Sequence, residues 1–223
     1  MTRKAFFAIL FVMIQQPKNY HLLSDFKSFP NIFESGKIFC AFDTETTGCG
    51  AEKERVIEIG AIKFSSDGIL DEFCTLLYPE KPLPPIITGI TGITDEMLAD
   101  APLAKEMVPR FLDFCKNTIL VAHNAPFDLQ FINHELIRLN LDTIQNHAID
   151  TLRLTRWAYP DFEHWNQPFL AEKLGIEVKH AHRAKDDARV CSEIFIKTLV
   201  GIKQGSLPPA DPQKTKILPP QSE

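Results

Sequence analysis

The chain has 223 residues, a formal net charge of -5 at pH 7, 44% hydrophobic residues and 24% charged ones. That length buries one sizeable core and suits one main domain with appendages; it is too short to carry a polymerase domain as well. The mild negative charge excludes a protein that coats nucleic acid non-specifically. It does not exclude a nucleic-acid enzyme, because a metal site neutralises its own acids and a local basic rim can hold phosphates.

The five cysteines (Cys40, Cys49, Cys74, Cys115, Cys191) are odd in number and contain no Cys-x-x-Cys pair. Cys40, Cys115 and Cys191 fall in apolar runs and read as buried free thiols, which suits a reducing, cytoplasmic setting. Residues 1–36 form an N-terminal extension whose role the sequence does not disclose. Thr2-Arg3-Lys4 followed by the apolar stretch Ala5 to Ile14 looks faintly like a signal peptide. It lacks a small-x-small cleavage pattern and is too short to span a bilayer, so a short helix or strand packed on the domain is expected, with no membrane.

The domain proper is expected over 37–201. A first strand runs from Ile38 to about Glu45, a second from Val56 to Phe64, and a third from Ile69 to Tyr78, with Ser65-Ser66-Asp67-Gly68 as the hairpin turn between the last two. Short turns between three strands predict an antiparallel meander. A proline-rich connection, Pro79 to Pro85, leads to a loop over Thr88 to Thr94, where Thr94 caps a helix starting at Asp95. Helical spacing follows over Ala101 to Lys116, then a strand over Thr118 to Ala122 and a helix over Pro126 to Leu139. A strand at Ala148 to Asp150, helices over Thr151 to Trp157 and Pro168 to Leu174, and a last helix over Ala184 to Val200 complete the order. The tail, 202–223, is rich in Pro, Gln, Ser and Lys and is expected to be disordered. Strands first, then alternating helices and strands, predict an α/β mixed sheet flanked by helices.

Three clusters carry the chemistry. Asp43 and Glu45 end the first strand two residues apart, so they share a face. Like charges held that close beside a buried strand repel and resist desolvation, and a divalent cation resolves both problems; the alternative is an acidic turn after an ordinary strand. His123-Asn124-Ala125-Pro126-Phe127-Asp128 opens a helix, where Asp128 sits at the positive end of the helix dipole. Taken alone, Asp128 can equally be a first-turn acid, Phe127 a core residue or a base-stacking one, and His123 and Asn124 partners for backbone groups. In His180-Ala181-His182-Arg183-Ala184-Lys185-Asp186-Asp187, helical spacing puts Asp186 with Arg189, Glu193 and Lys197 on the polar side. Asp187 falls with Val190, Cys191 and Ile194 on the apolar side. Asp187 is therefore the acid that needs a partner, Asp186 is read as solvated, and His182 must precede the helix in a loop. A histidine there is a natural base near neutral pH. Lys179, Arg183, Lys185 and Arg189 read as a basic rim for phosphates or as a solvated helix start.

Asp43-Thr44-Glu45-Thr46-Thr47-Gly48, His123-Asn124-Ala125-x-Phe127-Asp128 and His182-x4-Asp187, in that order, resemble the DEDDh family of 3′–5′ exonucleases, which includes the proofreading epsilon subunit of bacterial DNA polymerase III. The resemblance spans about Lys37 to Val200. It implies a ribonuclease-H-like fold, two Mg²⁺ or Mn²⁺ ions held by Asp43, Glu45, Asp128 and Asp187, and His182 as general base. It also implies contacts from Thr44, Thr46, Asn124 and Phe127 to the end of a single-stranded substrate, DNA more than RNA. Many members carry His-Gly-Ile-Thr where this chain has Thr91-Gly92-Ile93-Thr94, a form similar to the exonuclease segment of PolC. Other readings remain open: an RNA exonuclease of the same family, or a polymerase subunit acting mainly by binding partners. Gln204-Gly205-Ser206-Leu207 is faintly similar to a sliding-clamp-binding peptide but lacks its bulky ending. An aspartyl-nucleophile phosphatase would require Asp-x-Asp, against Glu45.

Overall fold

The computed structural model describes residues 20–205. The apolar stretch Ala5 to Ile14, nearly all of the tail, and Ser206-Leu207 of the clamp-like peptide lie outside the described residues. Strand β2 (Phe39–Thr46) is central. It pairs antiparallel with β3 (Val56–Ser65), which turns through Ser66-Asp67 into the antiparallel β4 (Gly68–Leu76). On its other edge β2 pairs parallel with β5 (Ile119–Ala122), β5 with β6 (His147–Asp150), and β6 with the two-residue strand β1 (His21–Leu22). The order across the sheet is β1-β6-β5-β2-β3-β4. An antiparallel meander joined to parallel strands and flanked by helices is the ribonuclease-H-like arrangement expected.

The helices are α1 (Phe29–Glu34), α2 (Pro85–Thr91), α3 (Asp95–Leu98), α4 (Ala104–Phe114), α5 (Ala125–Arg138), α6 (Thr151–Ala158), α7 (Gln167–Leu174) and α8 (Ala184–Gln204). Side-chain alternation along β2 splits the core between them. Cys40 and Phe42 join a cluster with Val108 and Phe111 of α4 and Leu129 and Ile132 of α5. Phe39 and Ala41 join another with Phe29 of α1, Leu154 of α6, and Cys191 and Phe195 of α8. Burying a Phe or Leu fully contributes roughly 1.5–3 kcal/mol, so these layers fix the register of β2 firmly. Continuing the same alternation past Phe42 turns Asp43 and Glu45 toward the α8 face.

Four stretches depart from the expectation. The segment read as a loop over Thr88 to Thr94 is mostly helix α2, which starts one residue after Pro84, with Pro85 in its first turn, and ends at Gly92 in the left-handed region (φ 69°). Its β-branched residues and Gly89 hid it, because each lowers intrinsic helix preference; burial of Ile87 and the Thr91 hydroxyl bond to Ile87 O compensate. Helix α4 begins three residues late because Pro102 O and Leu103 are used by Tyr78 beside the sheet. Helix α8 continues past Val200 to Gln204, where Gly205 caps it in the left-handed conformation. Finally, the part of the N-terminal extension that is described supplies β1 and α1, with Phe29 buried against α8. No helix among the described residues is long and apolar enough to cross a membrane.

Candidate active site

The clustered acids come from three elements. Asp43 and Glu45 extend from β2, Asp128 from the first turn of α5, and Asp187 from the first turn of α8. Desolvation and then the charges of Asp128, Glu45 and Asp187 hold the Asp43 carboxyl well above the usual carboxylate range. Desolvation, with Asp187 and Glu58 beside it, pushes Glu45 up to about 8. Asp128 is raised to about 7 by desolvation, against two bonds from Thr44, whose N–H donates to Oδ1 at 3.0 Å and whose hydroxyl donates at 2.8 Å. Desolvation raises Asp187 to about 6, although the His182 N–H donates to its Oδ2 at 3.0 Å.

His182 lies in the turn before α8, as its spacing from Asp187 required, in the left-handed conformation (φ 63°) and exposed. One ligand atom each from Glu45, His182 and Asp187 lies within 4.8 Å of the others. An all-oxygen carboxylate set with a histidine at its margin suits a hard divalent cation, and the mutual repulsion of the acids is the strain such a cation relieves.

A cleft of about 180 Å³ opens beside these acids. Thr44, Thr46, Asn124 and Phe127 line it together with Glu45, so the structure brings all four substrate candidates to one place. Phe127 also packs on Phe131, with ring centroids 4.9 Å apart. Ile87, Ile90 and Thr91 of α2 form the opposite wall. The Thr91 hydroxyl is used within its own turn, donating to Ile87 O and accepting from Ile93 N–H. His123 is a structural ring: desolvation pushes its imidazole down to about 4, and Nδ1 meets the Thr151 hydroxyl at 2.9 Å.

Two expectations near α8 are corrected. Asp186 is not idle in solvent. Its Oδ2 accepts the N–H groups of Lys179 and His180 at 2.9 and 2.8 Å, and its Oδ1 accepts Arg189 Nε at 2.9 Å. The basic rim is mostly committed elsewhere: Arg183 pairs with Glu58, Lys185 with Glu72, and Arg189 with Asp186 and Glu193. Three of the four cations, Arg183, Lys185 and Arg189, are thus paired with acids, which reduces the charge free for phosphates.

Other polar residues near the cleft were not singled out from sequence. Asp150 accepts the N–H groups of Asn124 and Leu152 at 3.2 and 2.9 Å and so ties the start of α5 to the start of α6. Glu135, 1% exposed, binds Arg55 Nε at 2.9 Å and pairs with Arg138 at 3.0 Å. Arg138 in turn donates to the carbonyls of Ala51, Glu52 and Glu54, bracing the loop that carries Gly48 and Cys49 to the cleft. The signal available was a charge inside an apolar run, as in Val56-Ile57-Glu58-Ile59 or Ala148-Ile149-Asp150, since buried charge persists only when paired.

A ribonuclease-H-like sheet whose central strand ends in Asp43 and Glu45, with Glu45 lining a cleft, defines a class of nucleases. The chain belongs to the exonuclease family, whose pattern it matches over residues 40–195. It is 44% identical over 159 residues to the DNA polymerase III subunit epsilon of Treponema pallidum, covering 70% of this chain and 74% of that one. It is 43% identical over 173 residues to the PolC-type DNA polymerase III of Caldanaerobacter subterraneus subsp. tengcongensis; that match takes in 75% of this chain but 12% of the polymerase. In fold it is similar to E. coli exonuclease I in complex with a dT13 oligonucleotide, with a TM-score of 0.67 at 21% identity, covering 77% of this chain and 42% of that one.

Proposed function

We propose that this exonuclease removes nucleotides from the 3′ end of single-stranded DNA with two divalent cations, Mg²⁺ or Mn²⁺, held by Asp43, Glu45, Asp128 and Asp187. The observation that supports the reading is that four carboxyls are raised together, Asp43 by the charges of Asp128, Glu45 and Asp187, with Glu45 lining the cleft, while Arg183 is bonded to Glu58. When bound, the cations would lower the pKa of the attacking water and neutralise the departing 3′ oxygen. Thr44 holds Asp128 in place by two bonds. His182, exposed in its turn and beside Glu45 and Asp187, would take the proton of the water. Thr46, Asn124 and Phe127 would contact the terminal nucleotide in the cleft, with Phe127 against its sugar or base.

The relatives named as a polymerase III subunit and a PolC-type polymerase III support work at replicating or repaired DNA in the cytoplasm, alongside a polymerase subunit. The test uses 3′- and 5′-labelled single-stranded DNA, mismatched duplex and short RNA, each with Mg²⁺, Mn²⁺ or chelator. Mononucleotides released from the 3′ label of single-stranded DNA, and abolished by chelator, are expected. Full turnover in chelator, release from the 5′ end, or a preference for RNA would overturn the corresponding part.

A further inference from the structure

Glu58 of β3 stands directly opposite Glu45 of β2, so the two carboxylates share a face of the sheet. Their surroundings differ. Glu58 is 1% exposed and saturated with donors: Arg183 Nη2 at 2.7 Å, Arg183 Nε at 3.1 Å, and the Ala184 N–H at 3.0 Å. A carboxylate that receives a guanidinium fork and a backbone donor has little capacity left for a cation. Two residues along the same face, Gly60 leaves room for the start of α8; a Cβ there would fall on the backbone of Ala184 and Lys185. Strand β3 therefore grips the two residues that follow His182 by charge and by close contact. His182 itself holds a left-handed φ, which a non-glycine residue keeps only where its neighbours over-determine it. Its N–H reaches Asp187, but nothing in that bond fixes the turn relative to the sheet. The Glu58 bonds do.

We propose that Glu58 is a positioning residue for His182: by clamping Arg183 and the Ala184 N–H, it fixes the turn that presents the imidazole to the cleft. This rests on His182 being the base in the reading above. A purely stabilising ion pair would lower the melting temperature without acting through His182, and the two roles separate in a double-mutant cycle.

The full chain is compared as wild type, E58Q, R183K, H182A and E58Q/H182A. Turnover is measured on single-stranded DNA with Mg²⁺, and amide exchange at residues 182–184 is measured in the cation-free protein. With the imidazole misplaced, E58Q is expected to lower kcat by about ten- to a hundredfold while KM changes by less than about twofold. R183K replaces the fork by a point charge and should move in the same direction. Amide exchange at the turn should speed up in both. In the H182A background, E58Q should cost less than about threefold, because the group it positions is gone. Equal losses with and without His182 overturn the proposal, as does unchanged kcat in folded E58Q and R183K. If E58Q fails to fold, R183K carries the test, since the Arg183 side chain is 39% exposed. Full turnover in H182A overturns the base assignment itself, and is told apart because it appears in a variant with Glu58 intact.

Discussion

The chain carries two sets of acids that differ in what neutralises them. Glu58, Glu135 and Asp186 each meet arginine: Arg183, Arg55 with Arg138, and Arg189. Asp43 is raised by the charges of Asp128, Glu45 and Asp187 and Glu45 by those of Asp187, Glu58 and Asp128, while Asp128 and Asp187 take hydroxyl and N–H donors from Thr44 and His182. The first set binds elements together: β3 to α8, the loop after β2 to α5, and the turn before α8 to its own first residues. The second set stores repulsion at one place. A fold can hold unneutralised acids together only if other contacts stabilise it, and the arginine-paired acids are part of that frame. On the proposed function, the contrast would separate a cation-binding acid from a structural one without reference to position in the chain.

The largest effect that sharpens this contrast comes from Asp43→Asn. Removing this proposed cation ligand should lower kcat by on the order of a thousandfold or more. Because Asp43 is held well above its usual range by desolvation and like charges, the same change should raise the melting temperature of cation-free protein at pH 8. A variant that loses activity and stability together would place Asp43 with the structural acids instead. Glu135→Ala should do the opposite: removing the partner of two arginines at a 1% exposed site should cost about 3 kcal/mol in urea melts. A loss within error would remove Glu135 from the frame.

The pH dependence follows from the raised set. A carboxyl whose folded pKa lies above its unfolded value adds stability that is full at low pH and is lost as pH rises through the folded value. For Glu45, Asp128 and Asp187 the window runs from their ordinary 3.8 and 4.5 to about 8, the value of Glu45, and Asp43 is raised in the same direction. Divalent cations should therefore stabilise the protein more at pH 8 than at pH 5.5, with a melting-temperature gain on the order of 5 °C at the higher pH. Comparing samples with and without cation at each pH cancels the titration of all other groups. A gain that shrinks toward pH 8 would contradict the grouping of these four acids.

How much of this was legible depends on the range of the contact. Asp43 and Glu45 follow a strand period that Phe39 to Phe42 make plain, and Asp187 was separable from Asp186 by helical spacing alone. Both readings are local, and the second was incomplete: the same spacing read Asp186 as solvated, whereas it accepts the Lys179 and His180 N–H groups. Helix α2 was missed because Ile86, Ile87, Thr88 and Thr91 disfavour a helix locally, and burial of Ile87 in a cluster with Ile57 of β3, Leu83, Ile93 and Leu98 supplies what propensity lacks. Strand β1 has two residues, too few for a period to show. The supposed phosphate rim failed for the same reason in reverse: Arg183 and Glu58 are 125 positions apart, and their pairing exists only once β3 and α8 meet.

Asp186 gives the smallest and most discriminating test, because it adjoins Asp187 in sequence and belongs to the other set. Burial alone would raise its carboxyl, but the His180 N–H, Arg189 and the Lys179 N–H outweigh that and hold it below the usual range. The sign is then reversed from its neighbour: its contribution is full above the ordinary value of 3.8 and is lost as pH falls. Asp186→Asn keeps one acceptor for the two backbone donors and weakens the arginine pair, so a loss of about 1 kcal/mol at pH 7 is expected, fading in acid. Turnover should stay within about threefold of wild type, since the group removed braces the turn at Lys179 and His180 rather than the cleft. Loss of turnover comparable to that of Asp43→Asn, in a folded variant, would mean that Asp186 and not Asp187 faces the reacting phosphate, and that the division between paired and unpaired acids fails at the one place where both stand side by side.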